Sequence, residues 1–514
     1  MRLGQRCRAG SPLRPELLPL CAALALVSTS AWSQTAVAGR GFTFTPTLSL
    51  SQVLTDNRNL DSVGKSSEAI TQISPGLRLS SRSGRVQGTL DYSLNALVYA
   101  RGSGSNAIQH ALNSSAAAEL VENRVFVDGR ATISQQTISA FGAQSGQNNA
   151  AVNANRSEVV TLGLSPSVRG RLAGVVDYEA RLSYAGTRSG STQAADSSNL
   201  SGLVRLSGGR GQFGWSADAS RQVSDFNAGR RTEQDRIGAG ATYRPDPELR
   251  FSARLAQEST DVISSERRDT TSWGWGVDWT PSQRTLVGLQ SDRRYFGNSH
   301  GLTLQHRLAR SIWRYTDSRN ASSSTGVAGA PLTQYDLFFV QFASLEPDPT
   351  RREQLVRSFL LSNGLDANAT VSGGFLSSAL SVQRSQNLSM ALTGQRQTVT
   401  LAAFRTATRR LDSISGVSDD LSQVDSLQQT GYSLSLAHRL TPTSSISLLA
   451  SNQKTTGRGG SNPAGNEQRS LNLAWSSQIA ARANLTVGAR HIEFDSATKP
   501  YNESALTATL SLRF

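Results

Sequence analysis

The sequence predicts an all-β fold: a transmembrane, antiparallel, up-and-down β-barrel of about 22 strands, in a range of roughly 18 to 22, with a short helical insert. Three observations predict it. Apolar and polar residues alternate strictly along many segments, these segments run for roughly 10 to 16 residues, and short and long polar connections alternate between them. A barrel strand needs about 9 to 11 residues to cross a bilayer, so the segments are long enough.

Arg85–Arg101 illustrates the alternation, because its even positions carry Val86, Leu90 and Tyr92, whereas its odd positions carry polar residues such as Asp91. The same pattern recurs in three further segments: 176–184, 213–219 and 273–279. Strands can span lipid only as a closed barrel, since every backbone polar group must be paired internally. An arginine on the lipid face at the bilayer midplane costs about 2–4 kcal/mol, so the apolar face is expected to meet lipid and the charged face to line the interior.

Two soluble alternatives fit less well. A β-sandwich would bury its apolar face and would need shorter strands and a larger apolar share than the 37% of this chain. A β-solenoid would show a repeat of fixed length, and the sequence shows none. A mean hydropathy of -0.33 and the lack of a long apolar run after the N-terminal region exclude a helical membrane protein.

The connections predict the two ends of the barrel, because outer-membrane barrels have short periplasmic turns and longer extracellular loops. Short turns are predicted at Ser81–Gly84, Glu122–Asn123, Gly208–Gly211, Arg244–Pro247, Thr280–Gln283 and Thr441–Ser444. Longer polar loops are predicted at Thr55–Ser66, Ala140–Asn155, Ser413–Gln428 and Thr456–Asn466.

The first 38 residues are typical of a Sec signal peptide, with a basic region followed by the apolar stretch Leu17–Val27, and with cleavage after residue 33 or 38. Residues 39–514 would form the barrel of a bacterial outer membrane. Both cysteines, Cys7 and Cys21, fall in the signal, so the mature chain would have no disulfide and no thiolate metal site. Removing its four arginines and one glutamate lowers the formal charge from +14 to +11.

One segment, residues 333–365, departs from the alternation and predicts two short helices on the loop-rich side. Asp348 would cap the second helix, Pro349 suits its first position, and Gly364 suits its exit. The insert could fold into the barrel as a plug or constriction, cover its mouth as a lid, or dock a partner. A helical hairpin that only packs on the barrel wall is an equally weighted alternative.

Charged residues in the middle of strands are candidates for contacts to a ligand in the lumen. They are Arg85, Asp91, Asp177, Glu179, Arg181, Asp218 and Asp278. The alternative is internal pairing across the lumen wall, for example of Arg181 with Asp177 or Glu179. The net positive charge could instead favour an anionic polymer in the lumen, or loops that bind the phosphates of lipopolysaccharide by bidentate pairing.

Other candidates are weighed against structural roles. Asp56 and Asn57 could bind a cation or sugar hydroxyls, but an Asx-type turn at the end of a strand is the favoured interpretation. Six tryptophans are predicted to form girdles at the two membrane interfaces: Trp215, Trp273, Trp275, Trp279, Trp313 and Trp475. The histidines show no metal-ligand spacing, and no motif of a hydrolase or nucleotide-binding site occurs.

The chain ends on an alternating segment, with Leu506, Leu510, Leu512 and Phe514 on one face. This segment is predicted to close the barrel by pairing with the first strand near Gly41–Leu54. In outer-membrane barrels generally, a terminal phenylalanine preceded by apolar residues at every second position resembles the signal read by the barrel-assembly machinery.

Two sequence elements resemble a known family. Thr55, Asp56 and Asn57 follow the first strand, and an Ile-Ser-Pro-Gly-Leu element follows at 73–77. Together with the insert that starts at Tyr335, they resemble outer-membrane β-barrels of the porin type that are associated with the PEP-CTERM/exosortase system. The resemblance implies a role in exopolysaccharide export, with an anionic polysaccharide and periplasmic export components as partners.

The leading hypothesis is therefore a passive outer-membrane channel with exopolysaccharide as its cargo. The alternatives are a general porin for small solutes and a non-conducting structural or assembly barrel. A TonB-dependent receptor would match the strand number but would need a plug domain ahead of the barrel, whereas strands begin at Gly41. An enzyme ranks last, no cofactor is expected, and nothing supports binding of nucleic acid.

Overall fold

The computed structural model shows a closed, antiparallel barrel of 22 strands within Phe42–Phe514. The structure describes the following residues: 41–82, 84–101, 106–145, 152–191, 196–227, 230–322, 326–328, 332–342, 346, 348–362, 370–372, 374–377, 380–411, 419–459 and 465–514. The predicted signal peptide and Gly364 lie outside them. None of the described helices is long and apolar enough to cross a membrane.

The first fifteen strands follow one another around the barrel, each pairing with the next. They are β1 (Phe42–Thr55), β2 (Glu68–Arg82), β3 (Val86–Tyr99), β4 (Ala107–Val121), β5 (Val125–Thr137), β6 (Arg156–Leu172), β7 (Val176–Ser189), β8 (Ser197–Arg210), β9 (Phe213–Phe226), β10 (Thr232–Asp246), β11 (Leu249–Thr260), β12 (Arg268–Ser282), β13 (Thr285–Arg294), β14 (Gly297–Arg307) and β15 (Ser311–Ala321).

An insert of small elements then interrupts the barrel before its last seven strands. The insert contains β16 (Gly326–Ala328), β17 (Leu332–Thr333), α1 (Gln334–Gln341), α2 (Pro349–Ser362), β18 (Thr370–Ser372) and β19 (Phe375–Ser377). The barrel resumes with β20 (Ser381–Thr393), β21 (Gln397–Arg410), the short helix α3 (Asp420–Gln423), β22 (Ser426–Arg439), β23 (Ser444–Arg458), β24 (Gly465–Ala480), β25 (Ala483–Ser496) and β26 (Tyr501–Arg513). Strand β15 pairs directly with β20, so the insert leaves the barrel wall unbroken.

The predicted closing strand is confirmed, because β26 pairs with β1 over nine residues, from Thr47 opposite Arg513 to Thr55 opposite Ala505. The backbone N–H of Phe514 also donates to the carbonyl of Pro46 at 3.0 Å. Every strand of the barrel therefore has two hydrogen-bonded neighbours, which removes the free edges that would be untenable in lipid.

Short turns and longer connections fall at opposite ends of the barrel, as predicted, and we call these the turn end and the loop end. Several boundaries differ from the prediction because the strands are longer, running from 10 residues in β13 to 17 in β6. Strands β23 and β24 absorb much of the loop predicted at Thr456–Asn466, and β22 begins at Ser426, inside the loop predicted at Ser413–Gln428. Polar residues continue the pairing wherever the neighbouring strand offers a partner, which composition alone does not reveal.

Two groups of buried side chains lie on the inner side of the barrel, near the loop end, where connections fold inward. One cluster packs Leu60 and Ala143, from two different loops, against Ile492 and Phe494 of β25. The buried ion pair of Arg58 with Glu68, at 3.0 Å, ties the first loop to the top of β2. A second cluster joins the following residues: Ala140, Phe375, Leu421, Val424 and Leu427.

Candidate functional site

Both helices of the insert begin with caps that the local sequence supplies. The carboxylate of Asp336 accepts hydrogen bonds from the backbone and the hydroxyl of Thr333, while the Thr333 hydroxyl accepts one from the Asp336 backbone at 3.1 Å. At α2, the carboxylate of Asp348 accepts a bond from the Arg351 backbone at 3.1 Å, and Pro349 is the first helical residue. These contacts satisfy N–H groups that have no partner within a helix, and the cap predicted at Asp348 is present.

An aromatic cluster holds the two helices together. Phe338 of α1 lies 4.9 Å from the Phe359 ring of α2, and Phe342 lies 5.2 Å from the same ring, as measured between ring centroids. Val356 and Leu360 are buried in the same cluster. The helices therefore share a small apolar core of their own, which keeps the hairpin folded as one unit.

That core packs against the inside of the barrel wall. Ala437 of β22 belongs to the same cluster and is almost fully buried. In β22 the odd-position residues from Leu427 to Ala437 are buried, whereas Tyr432 and Leu434 at even positions are exposed on the outer face. Ala437 thus faces inward, and it lies near the turn end although the insert departs from the loop end. The helices therefore reach most of the way down the lumen.

A ring of four alternating charges, which we call the charge square, fastens α2 to a second part of the wall, at β2 and β3. Glu353 and Arg357 of α2 form one side, and Arg78 of β2 and Asp91 of β3 form the other. Arg78 binds Glu353 at 3.0 Å and Asp91 at 3.5 Å, while Arg357 binds Asp91 at 2.8 Å and Glu353 at 2.9 Å. The Arg357 guanidinium also lies 5.1 Å above the Tyr335 ring of α1. Each charge thus touches two of opposite sign, which compensates for its partial loss of water.

The insert therefore occupies the lumen rather than standing over the mouth. Contacts to β22 on one side and to β2 and β3 on the other place α1 and α2 across the interior. The wall beside them differs from the wall farther round the barrel. From Leu427 to Ala437 every inward residue of β22 is buried, whereas no residue of β7 or β8 is. The lumen is thus filled along β22 and keeps accessible surface along β7 and β8.

The accessible wall carries three of the seven charged residues singled out in the sequence, Asp177, Glu179 and Arg181 of β7. Arg181 of β7 binds Asp128 of β5 at 3.2 Å and Glu179 of its own strand at 3.2 Å. The suggested pairing of Arg181 with Asp177 is wrong, because Asp177 pairs with Arg171 at 2.6 Å. Strands β6 and β7 are adjacent, and their register sets Arg171 directly opposite Asp177.

The remaining lumen candidates lie in three different settings. Asp218 of β9 pairs with Arg236 of β10 at 3.7 Å, and Asp278 of β12 is in register with Arg250 of β11. Asp91 belongs to the charge square. Arg85 lies in the exposed turn before β3, at the edge of the lumen rather than on its wall.

The first loop uses the polar groups of Asp56 and Asn57 for its own structure. The Asn57 side-chain amide donates to the carbonyls of Asp61 and Asn502 at 2.7 and 2.9 Å and accepts from the Asp61 backbone at 2.9 Å, and the residue is fully buried. Asp56 accepts a bond from the Ser504 backbone at 2.7 Å. These contacts are those of a turn that joins the loop to β26.

All six tryptophans singled out in the sequence point outward and are exposed, between 38% and 51%. Four lie close to the turn end of their strands: Trp215, Trp279, Trp313 and Trp475. Trp273 is the last apolar outward residue of β12 before Thr271, so it marks the other edge of the apolar band. Trp275 lies between these edges, where an interfacial girdle does not extend. At the C-terminus, Leu506, Leu510 and Leu512 lie opposite leucines of β1 on the outer face.

Sequence reasoning missed Arg78, Glu353 and Arg357 as functional residues. The i,i+4 spacing of Glu353 and Arg357 on a predicted helix was a signal for their mutual pairing. Nothing local joined them to Asp91, which is 266 residues away along the chain from Arg357. The inward parity of Arg78 on its strand could have marked it as a lumen residue.

Solved structures to which this chain is similar include two receptors and an iron transporter. A variant of the ferric enterobactin receptor from Pseudomonas aeruginosa has 10% identity and a TM-score of 0.46 over 92% of this chain and 80% of that chain. The siderophore receptor PirA from Acinetobacter baumannii has 8% identity and a TM-score of 0.48 over 91% and 80%. The FrpB iron transporter from Neisseria meningitidis has 8% identity and a TM-score of 0.49 over 91% and 81%.

No family model matches the sequence, and no curated protein matches it. The strand order and register of the chain itself establish its architecture. It is a large, closed β-barrel of the outer-membrane type whose lumen holds a helical insert.

Proposed function

We propose that the protein is an outer-membrane channel in which the insert is a movable obstruction, and that it passes exopolysaccharide across the outer membrane. The observation that carries the proposal is the docking of α2 inside the lumen by the charge square. Partly exposed ion pairs are weak, typically about 0.2–1 kcal/mol each, so they hold the helix in place without locking it. A helix that never leaves the wall would be held more firmly by apolar contacts on all sides than by partly exposed ion pairs.

The strand next to β22, whose Ala437 contacts the insert, also supports an obstruction that can leave. Thr400, Thr406 and Thr408 of β21 face inward, are at least 98% buried, and their hydroxyls find no hydrogen-bond partner among the described residues. A buried hydroxyl without a partner costs about 1–3 kcal/mol. Withdrawal of the insert would return these groups to water or to a hydroxylated cargo, which offsets part of the cost of opening.

The nature of the cargo rests on the resemblance to barrels of the PEP-CTERM/exosortase system and on the chemistry of the lumen. Hydroxyl and amide side chains line the inward faces of β21 to β24, and these groups pair well with sugar hydroxyls. Arginines such as Arg181 and Arg254 on the accessible side are held in ion pairs that an anionic polymer would exchange one by one. Periplasmic export components would then supply the polymer at the turn end.

Planar-bilayer conductance of the purified barrel tests the channel. We expect small or rare currents from the intact protein and larger, sustained currents after deletion of residues 333–365. Because β15 pairs directly with β20, the deletion leaves the barrel closed. Heat-modifiable migration on gels verifies folding of both proteins. A folded deletion variant without any current would contradict the channel and favour the structural or assembly barrel.

Cargo is tested in the cell that makes the polymer. On gene deletion we expect loss of surface polysaccharide together with its accumulation inside the cell, and restoration by the intact gene. Unchanged secretion, alongside conductance of the purified protein, would instead support the general porin for small solutes.

A further inference from the structure

The outer face of the barrel carries an uncompensated basic patch on β13, β15, β20 and β21. We call it the arginine patch and define it by five outward residues: Arg293, Arg319, Arg384, Arg405 and Arg409. Their positions share the parity of Trp313, Leu388 and Leu401, which are exposed on the outer face. The patch thus lies on the surface that the membrane surrounds, not in the lumen.

Register brings four of these arginines together across three neighbouring strands, and Arg293 lies two strands away from β15 on β13. Arg319 of β15 is directly opposite Arg384 of β20, and Arg405 and Arg409 of β21 lie one outward position below and above that row. Arg384 and Arg409 both repel the charge of Arg319. Like charges directly opposite each other on adjacent strands are destabilising, so a bound counter-charge would relieve this arrangement.

The chain supplies very little of that counter-charge. Among the outward residues of β13, β14, β15, β20 and β21, the single acid is Asp317. Its carboxylate already receives Arg384 at 2.6 and 3.0 Å, Gln386 at 3.0 Å and His300 at 3.2 Å. The outward surface of these five strands therefore carries five arginines and one acid, whose carboxylate is already hydrogen-bonded.

Elsewhere on the barrel, two outward arginines towards the loop end are paired with acids. Arg221 of β9 binds Glu233 at 2.7 Å, and Arg469 of β24 binds Glu467 at 2.8 Å. The clustering of several arginines around one acid thus sets this sector apart from those two.

The height of the patch places it at the lipid headgroups. Counted from the turn end of β20 towards its loop end, the outward residues are Leu392, Met390, Leu388, Gln386 and Arg384. From Leu392 to Arg384 the strand advances eight residues, which at about 3.3 Å per residue and a tilt of about 40° is roughly 20 Å along the membrane normal. The apolar band of such barrels is about 25 Å tall, so Arg384 lies near its upper edge. The loop end of these barrels is extracellular, which makes this the outer leaflet.

We propose that the arginine patch is a binding site for the phosphate groups of an outer-leaflet glycolipid, lipopolysaccharide in a Gram-negative membrane. A guanidinium donates two parallel hydrogen bonds to a phosphate, and arginine is the side chain best suited to that geometry. Several arginines within about two strand spacings, roughly 10 Å, can share one phosphorylated headgroup. The bound lipid neutralises the repulsion between β15 and β20, the junction from which the insert departs.

The test removes the arginines that Asp317 does not hold. The variant carries Arg319→Gln, Arg405→Gln and Arg409→Gln, and it keeps Arg384 so that the buried carboxylate retains its partner. A control of equal charge change carries Arg188→Gln, Arg231→Gln and Arg469→Gln, three exposed arginines on other sectors. Both are refolded into neutral detergent, and their compact migration on unheated gels verifies the barrel.

Binding is measured by native mass spectrometry with three probes: bisphosphorylated lipid A, dephosphorylated lipid A and inorganic phosphate. We expect the intact protein and the control to retain bisphosphorylated lipid A. The patch variant should bind it roughly a hundredfold more weakly, taking about fivefold for each arginine at a charged membrane surface. Dephosphorylated lipid A should bind the intact protein and the patch variant equally.

Two results would overturn the proposal. One is equal retention of bisphosphorylated lipid A by the intact protein and the patch variant, or an equal loss in the control. The other is binding of inorganic phosphate alone to the intact protein as tightly as the lipid, which would make the patch a general anion site.

Discussion

Arg357→Gln should release the insert from the wall that carries Asp91. Arg357 makes two ion pairs, at 2.8 Å to Asp91 and 2.9 Å to Glu353, and its guanidinium lies over the Tyr335 ring. Its side chain is 30% exposed, so water screens these contacts only in part. Only the pair with Asp91 joins α2 to the wall, because Glu353 and Tyr335 belong to the insert and keep their contacts when it undocks. Loss of that one pair should cost the docked state about 0.5–1 kcal/mol, so its population should fall roughly two- to fivefold against an undocked state.

Single-channel recording measures this shift directly as the fraction of time spent in the larger conductance state. Arg351→Gln is the matched control, because Arg351 lies on the same helix, is exposed, and is joined to Asp348 only through its backbone. Raising the salt from 0.1 to 1 M shortens the screening length from about 10 to 3 Å and should increase opening of the intact protein more than that of Arg357→Gln. Equal open fractions for the two variants would refute a latch at this position.

Three further changes have expected outcomes. Leu473→Arg, on the outer face, should destabilise the barrel by about 2–4 kcal/mol in lipid, whereas Asn472→Arg, on the inner face, should destabilise it far less. The measurement is the temperature at which the gel shift of the folded barrel is lost. Equal destabilisation by the two variants would contradict the assigned faces. Deletion of Phe514 should slow assembly into the outer membrane in cells more than it alters the melting of the folded barrel. Normal assembly of this variant would contradict the hypothesis that the assembly machinery recognises the C-terminal phenylalanine. Burial raises the pKa of Asp420 in the loop before β22, so the stabilisation that the protonated carboxyl gives the folded loop is present at acid pH and is lost as pH rises through the raised pKa. Asp420→Asn should therefore slow proteolysis of that loop at pH 7 but not at pH 4. Equal effects at the two pH values would contradict the raised pKa.

Alternation along the chain was sufficient to predict the barrel, because a strand in lipid has one apolar and one polar face and the two differ at every second residue. The strand number, the closure by β26, the presence of two helices in the insert and the cap at Asp348 all followed from patterns in the sequence. Boundaries were less certain because polar residues such as those at 456–458 continue a strand wherever a partner is present.

The place of the insert could not be predicted in the same way. Plug, lid, docking element and wall hairpin were all compatible with two capped amphipathic helices. Residues distant in the chain decide among them, since Ala437 and Asp91 lie on two separate parts of the lumen wall and both contact the helices. The pairing of Arg171 with Asp177, rather than of Arg181, likewise depends on register between strands.

The sequence by itself determined that this chain forms a barrel with a charged interior, because hydrophobic periodicity is a local property. The tertiary structure decided which charges meet. Arg319 and Arg384 are separated by the whole insert in the chain, yet they become direct neighbours because β15 pairs with β20 in one register. A shift of one residue would turn either side chain to the other face, so both the charge square in the lumen and the arginine patch on the outer face depend on the closed barrel.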